Sequence, residues 1–371
     1  MTINNTKRLT YLLALFALFL GNVALAQHPD EENCVYVPAT ELTMTGKLFN
    51  DTPNPYHRID TVRFKGFTKS ENNQVRESTG EALVFVTNSP FIRVKPRFGY
   101  ITPSVNTMGI AVKGFDMYIR DGNKWLWAAS GAQKTPGKEN EPMTLIRDMK
   151  PEMHVCLLYL PLLSELYSLE IGIKEGSVIE AVPNPFRGRV AIFGSSFTQG
   201  ISTSRSGMTY PAQFTRATGI QLLSLGCSGN CRLQSYFADA LAAADVDAFI
   251  FDSFSNPSPE QIEERLFPFI EKIQAAHPGK PLIFQHTIYR ERRNYNMGEE
   301  KIEFDRAHMA DSLMNIACKR YKDVYYIKTN ATDVTHETSV DGVHPGDYGY
   351  TLWARSIEKS ICKILKKYGI K

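Results

Sequence analysis

Several things are missing from this sequence, and each absence removes a class of function. There is no C-x-x-C pair, no Gly-Lys-Ser/Thr loop, almost no charge excess and, past residue 26, no apolar run long enough to cross a membrane. Without C-x-x-C spacing the six cysteines do not read as a zinc site, since Cys227 and Cys231 have no matching second pair. A phosphate loop of the Walker kind is excluded by the missing lysine. Lys and Arg number 42 against 39 Asp and Glu, a formal charge of +3 that becomes +1 if Lys7 and Arg8 leave with residues 1–26. That balance gives no footing for binding nucleic acid or an anionic membrane.

What is present begins with an export pattern. Lys7 and Arg8 precede the apolar residues 11–20, and residues 21–26 end Ala24-Leu25-Ala26, which predicts a signal peptide cleaved before Gln27. The mature chain is then expected in the periplasm or outside the cell, with no stable membrane anchor. Disulfides are allowed there, and Cys34, Cys156, Cys227, Cys231, Cys318 and Cys362 admit fifteen full pairings. A length of 371 residues with 43% hydrophobic content suits two domains.

Residues 27–185 read as strands and turns. Segments 83–87, 91–95, 110–113, 117–120, 124–128 and 154–160 are short, β-branched or aromatic, and separated by Asn, Gly, Pro and Asp, so an all-β sandwich is expected. Trp125 and Trp127 share one face of a strand, suited to a core, an interdomain contact or stacking on a sugar. Asp116 reads by itself as a turn residue binding backbone amides. Residues 182–188, with two prolines and a glycine, mark the junction. Beyond it, strands at 190–193, 220–224, 248–252, 281–285 and 324–327 alternate with helices at 211–218, 231–244, 259–276, 301–321 and 349–368. Such alternation predicts a parallel sheet covered on both faces over residues 186–371.

Within that half, the buried run 190–193 breaks at Gly194 into Ser195-Ser196, placing a serine at the carboxyl end of a strand, the edge where open α/β sheets bind ligands. The nucleophile elbow of α/β-hydrolases is excluded because Thr198 stands where it needs glycine. Gly194, Ser196 and Gly200 instead resemble the first block, G-D-S-x-x-x-G, of the SGNH (GDSL-like) hydrolase superfamily, with Ser195 in place of Asp. Gly114-Phe115-Asp116-Met117-Tyr118 resembles the G-x-D-L-Y signature of a domain preceding some SGNH domains, with Met117 for Leu. Asp341 and His344 match the D-x-x-H block before the last helix; Asp333 and His336 have the same spacing but not the Gly, Pro and helix that follow.

The resemblance implies a three-layer α/β/α, flavodoxin-like catalytic domain behind the all-β sandwich. It implies Ser196 as nucleophile, His344 as its base and Asp341 as the orienting carboxylate. It also implies an oxyanion hole of the Ser196 and Gly229 amides and the Asn256 side chain. Where relatives carry G-F-S-G-N-G this chain has Gly226-Cys-Ser-Gly-Asn-Cys231, and a Cys227–Cys231 disulfide stiffening that loop is the expectation. The chemistry implied is ester hydrolysis through an acyl-enzyme, with no metal and no cofactor. Short acyl groups, acetyl above all, on a glycan are the favoured substrate; a long-chain lipase and a non-catalytic glycan-binding module are the rivals. Arg290, Arg292 and Arg293 lie after the fourth strand and read as a solvated loop or as contacts for an acidic sugar.

Overall fold

The computed structural model describes residues 33–370; the expected signal peptide lies outside them. The N-terminal half builds two antiparallel sheets from β1 (Cys34–Pro38), β2 (Thr43–Thr45), β3 (Ala82–Thr87), β4 (Ile92–Ile101), β5 (Phe115–Asp121), β6 (Lys124–Gly131), β7 (Met143–Ile146), β8 (His154–Tyr159), β9 (Ser164–Lys174) and β10 (Ile179–Ala181). The first sheet runs β1-β9-β4-β7, the second β10-β3-β8-β5-β6 with β2 also on β3. Leu83, Phe85, Met117 and Leu158 of the second sheet meet Val94, Leu166, Leu169 and Ile171 of the first, which is the sandwich core. The other face of the second sheet is buried too: Ala82, Val84, Tyr118, Leu157 and Tyr159 pack against Phe186 and Ala212 of the C-terminal half. Strands covered on both faces are continuously apolar rather than alternating, as the A-L-V-F-V-T of β3 shows.

Two short helices depart from the strands-and-turns expectation. α1 (Lys69–Gln74) is started by a capping box in which Thr68 and Glu71 satisfy each other's backbone amides. Residues 110–113, expected as a strand, form α2 (Gly109–Lys113). Its Ala111 and Val112 carbonyls accept from Leu162 and Leu163 at 2.9 and 3.2 Å, so the apolar run meets β-structure edge-on through one helical turn. Much of residues 46–79 leaves the sandwich, although Tyr56 stays in its core. Leu48, Phe49, Ile59 and Val75 join the core of the C-terminal half, and the fully buried Arg58 donates to Glu77 O and Gly226 O, both at 2.9 Å.

In the C-terminal half β11 (Arg187–Gly194), β12 (Ile220–Gly226), β13 (Ala248–Asp252), β14 (Leu282–Gln285) and β15 (Val324–Ile327) are all parallel, in the order β12-β11-β13-β14-β15. Around them lie α3 (Ser196–Gln199), α4 (Tyr210–Thr218), α5 (Ser235–Ala242), α6 (Pro259–Ala276), α7 (Met297–Arg320) and α8 (Asp347–Lys367). Alternation along β11 sorts the layers: Ala191 and Phe193 face α5, α6 and α7, whereas Val190 and Ile192 face α4 and α8. This is the expected three-layer sheet in the flavodoxin-like order, which reverses direction at β11 and leaves a crevice at the carboxyl ends of β11 and β13.

Candidate active site

Ser196 opens α3 where β11 ends. Ser195 caps that turn, its Oγ accepting from Phe197 N at 3.2 Å and donating to Asp252 Oδ2 at 2.9 Å. Thr198 Oγ1 also donates to Asp252 Oδ2, at 3.0 Å, so the serine standing in place of Asp is tied to a carboxylate at the end of the neighbouring strand. Burial pushes Asp252 up to about 6, against the donors from Ser195, Thr198 and Ser255. Gly194 is required by this packing, since a Cβ there would strike the Thr198 side chain.

Ser196 Oγ stands 2.9 Å from His344 Nε2, and His344 Nδ1 stands 2.8 Å from Asp341 Oδ2. The other carboxylate oxygen, Oδ1, accepts from the backbone of Val343 and His344 at 2.9 and 2.7 Å. Asp341 therefore fixes the histidine twice, by its backbone and by its ring. Burial by itself would raise Asp341, but hydrogen bonds from His344, Asn106 and Val343 hold it well below the usual carboxylate range. His344 is lowered, chiefly by burial, with Asp341 opposing and Arg290 and Arg292 adding to the fall. The result is a neutral imidazole aimed at a hydroxyl beside an ionised carboxylate, an arrangement able to remove the Ser196 proton. The competing pair does not assemble: Asp333 accepts from Thr335, and His336 Nδ1 lies 2.6 Å from Glu291 Oε2.

Gly229 and Asn256 lie in the loops after β12 and β13, the strands flanking β11. Cys227 N donates to Gly194 O at 2.9 Å, and Asn230 N to Cys227 O at 3.0 Å, closing a turn whose third residue is Gly229 with φ 71°. Asn256 Oδ1 accepts from Cys231 N at 3.3 Å, which joins the two loops and turns the amide nitrogen away from that contact. The expected Cys227–Cys231 disulfide is not formed. Both thiols are free and buried, and Cys231 Sγ is directed at Ser253 Oγ and Asp252 O, at 3.3 and 3.7 Å. The stiffening comes from elsewhere: Ser228 N donates to Gln199 Oε1 at 2.7 Å, and Gln74 Nε2 to Ser228 O at 2.9 Å.

Three contributions come from the N-terminal half. Asn106 Nδ2 donates to Asp341 Oδ2 at 2.7 Å across 235 residues. Glu77, pushed up to about 7 by burial, accepts from Gln199 Nε2 at 2.6 Å and so backs the Ser228 contact. Asp116 is no turn residue. It sits fully buried in β5, accepting from Arg205 Nη1 and Gly207 N, both at 2.8 Å, and from Trp127 Nε1 at 3.2 Å. Tyr118 OH accepts from Arg205 as well, while Trp125 packs on Phe186. The G-x-D-L-Y stretch and both tryptophans are thus tied into the interface between halves. For Asp116 the motif was a readable signal; for Asn106 and Glu77 no local pattern existed. Each arginine of the run is paired, with Glu303, Glu299 and Glu300 respectively; Arg290 is buried, whereas Arg292 stays exposed to solvent.

With this geometry in place, the likenesses are informative. Residues 187–362 match the GDSL-like lipase/acylhydrolase family, and residues 34–179 match the GxDLY N-terminus of SGNH-hydrolase-type esterases. A candidate GDSL-like lipase from Bacteroides ovatus ATCC 8483 is 36% identical, with a TM-score of 0.86 over 91% of this chain and 99% of that one. The salicylyl-acyltransferase from a tetracycline biosynthetic pathway is 17% identical, TM-score 0.68, over 90% and 98%. An acetyl xylan esterase from the rumen bacterium Butyrivibrio proteoclasticus is 12% identical, TM-score 0.55, over 90% and 99%. These last two share the fold. No curated protein matches the sequence.

Proposed function

The chain belongs to the GDSL-like lipase/acylhydrolase family of serine ester hydrolases, and from that premise we propose that it removes short acyl groups, acetyl above all, from a carbohydrate alcohol. The observation that carries the mechanism is the line Ser196 Oγ to His344 Nε2 to Asp341, with steps of 2.9 and 2.8 Å. Ser196 attacks the ester carbonyl as His344 takes its proton, and the same proton passes to the departing alcohol. Water, deprotonated by His344, then releases the acid from the acyl-enzyme. Asp341 stays ionised throughout and stabilises the imidazolium. The Ser196 and Gly229 amides and the Asn256 side chain receive the negative charge on the carbonyl oxygen. The reading includes export with cleavage before Gln27, which amino-terminal sequencing of the periplasmic or secreted protein checks; an intact Met1 there would refute it.

One observation favours a second substrate reading, a longer acyl chain or an apolar alcohol. Val105 and Met108 are exposed on the loop that carries Asn106, and Val340 is exposed beside Asp341. Aryl esters from acetate to palmitate, hydrolysed by wild type beside Ser196→Ala, separate the two. A serine-dependent rate highest at acetate supports the deacetylase; a maximum at long chains supports the alternative. No turnover, or turnover without Ser196, removes both.

A further inference from the structure

The arginine run singled out in the sequence leads to a feature that the triad and the oxyanion donors do not use. Arg290 is 6% exposed and Glu303 is 1% exposed, at the start and inside of the segment that follows β14. Glu303 Oε1 accepts from Arg290 Nη1 at 2.6 Å and from Arg306 Nη1 at 2.7 Å, so one buried carboxylate joins two guanidinium groups. Each guanidinium then reaches a backbone carbonyl of the same loop. Arg290 Nη2 donates to Ser255 O at 2.6 Å, and Arg306 Nε donates to Pro257 O at 2.9 Å. Those carbonyls belong to the residues immediately before and after Asn256.

Resting on the reading of Asn256 as an oxyanion donor, we propose that Arg290, Glu303 and Arg306 form a clamp that positions Asn256 for the transition state. An unsupported loop lets a side-chain amide wander by an ångström, which in a catalytic group costs on the order of a hundredfold in rate. Two charge-assisted bonds on the carbonyls either side of Asn256 suppress that motion, and the shared carboxylate makes the two grips one unit. The clamp reaches the other side of the site as well: the Arg290 guanidinium lies 5.4 Å over the Phe197 ring, and that ring meets His344 edge-on at 5.7 Å. These three are positioning residues, acting through Asn256.

Arg306→Met is the variant of choice, because Arg306 is the most exposed of the three and its loss leaves the buried Arg290–Glu303 pair intact. The expected result is a kcat about tenfold lower with KM little changed, short of the hundred- to thousandfold that losing an oxyanion donor costs. Arg306→Lys keeps the charge but not the fork that spans the Glu303 carboxylate and the Pro257 carbonyl, and should behave like Arg306→Met. The same substitutions made on Asn256→Ala should cost nothing further. An equal penalty in both backgrounds, or full rescue by lysine, would overturn the clamp. If Asn256→Ala by itself leaves kcat unchanged, the hole assignment fails first and takes the clamp with it, an outcome distinct from the other two.

Discussion

The two halves of the chain serve one site by different routes. The C-terminal half delivers Ser196, Asp341 and His344 from short stretches at the carboxyl edge of a parallel sheet. The N-terminal half delivers Asn106, Glu77 and Asp116 across an interface, from positions of which only Asp116 carries a readable motif before the fold is built. Reactive groups are thus local features of sequence, while the contacts that hold them in register are properties of the assembled molecule. A binding module merely tethered to an enzyme would have no reason to donate a hydrogen bond to Asp341.

Removing members of the first set should have the largest effect. Ser196→Ala and His344→Ala are each expected to lower kcat at least about a thousandfold in ester hydrolysis, with thermal unfolding unchanged. Near-wild-type turnover in either would unseat the triad. The next largest effect tests the interface. Asp116→Ala strips Arg205, Gly207 N and Trp127 Nε1 of their acceptor in a buried place. A loss of about 3 kcal/mol in denaturant unfolding is expected, because an arginine is left without its partner. A loss below about 1 kcal/mol would mean that the G-x-D-L-Y stretch does not fasten the halves together.

The same contrast explains what was legible. Segments 248–252, 324–327 and 259–276 were read with the bounds they have, since short unbroken apolar runs read as strands and a long stretch with helical apolar spacing reads as a helix. In the N-terminal half β9 went unread, because Glu165 is buried in it and serves His57 and Arg76, so polar residues point inward. Residues 110–113 were misread because three apolar residues and a lysine are too few to carry a period. Cys227 and Cys231 invited a bridge by spacing, yet their loop is held by Gln199 and Gln74, and the Cys231 thiol is engaged by Ser253. That Ser196, His344 and Asp341 come together was legible because each sits in a stretch that resembles a sequence block of the family. Asn106 was not, because a single Asn after Pro103-Ser104-Val105 reads as an ordinary turn residue.

The smallest effect is the sharpest test of whether the interface acts on the chemistry. In the proposed mechanism His344 works as a base only when neutral, and burial lowers its pKa below the ordinary histidine value. A lowered pKa keeps the ring unprotonated further into acid, so the acid limb of kcat/KM should inflect below about 6.5. Asn106 contributes to this setting: by donating to Asp341 Oδ2, the oxygen that faces the ring, it drains charge that would otherwise stabilise the imidazolium. Asn106→Ala should therefore raise the His344 pKa and move the acid limb up by about half a pH unit, with kcat about threefold lower. Asn106→Asp, which adds a negative charge at the same place, should move it further in the same direction. A merely structural asparagine would lower activity at every pH alike, and a limb that stays in place in both variants would confine the N-terminal half to support.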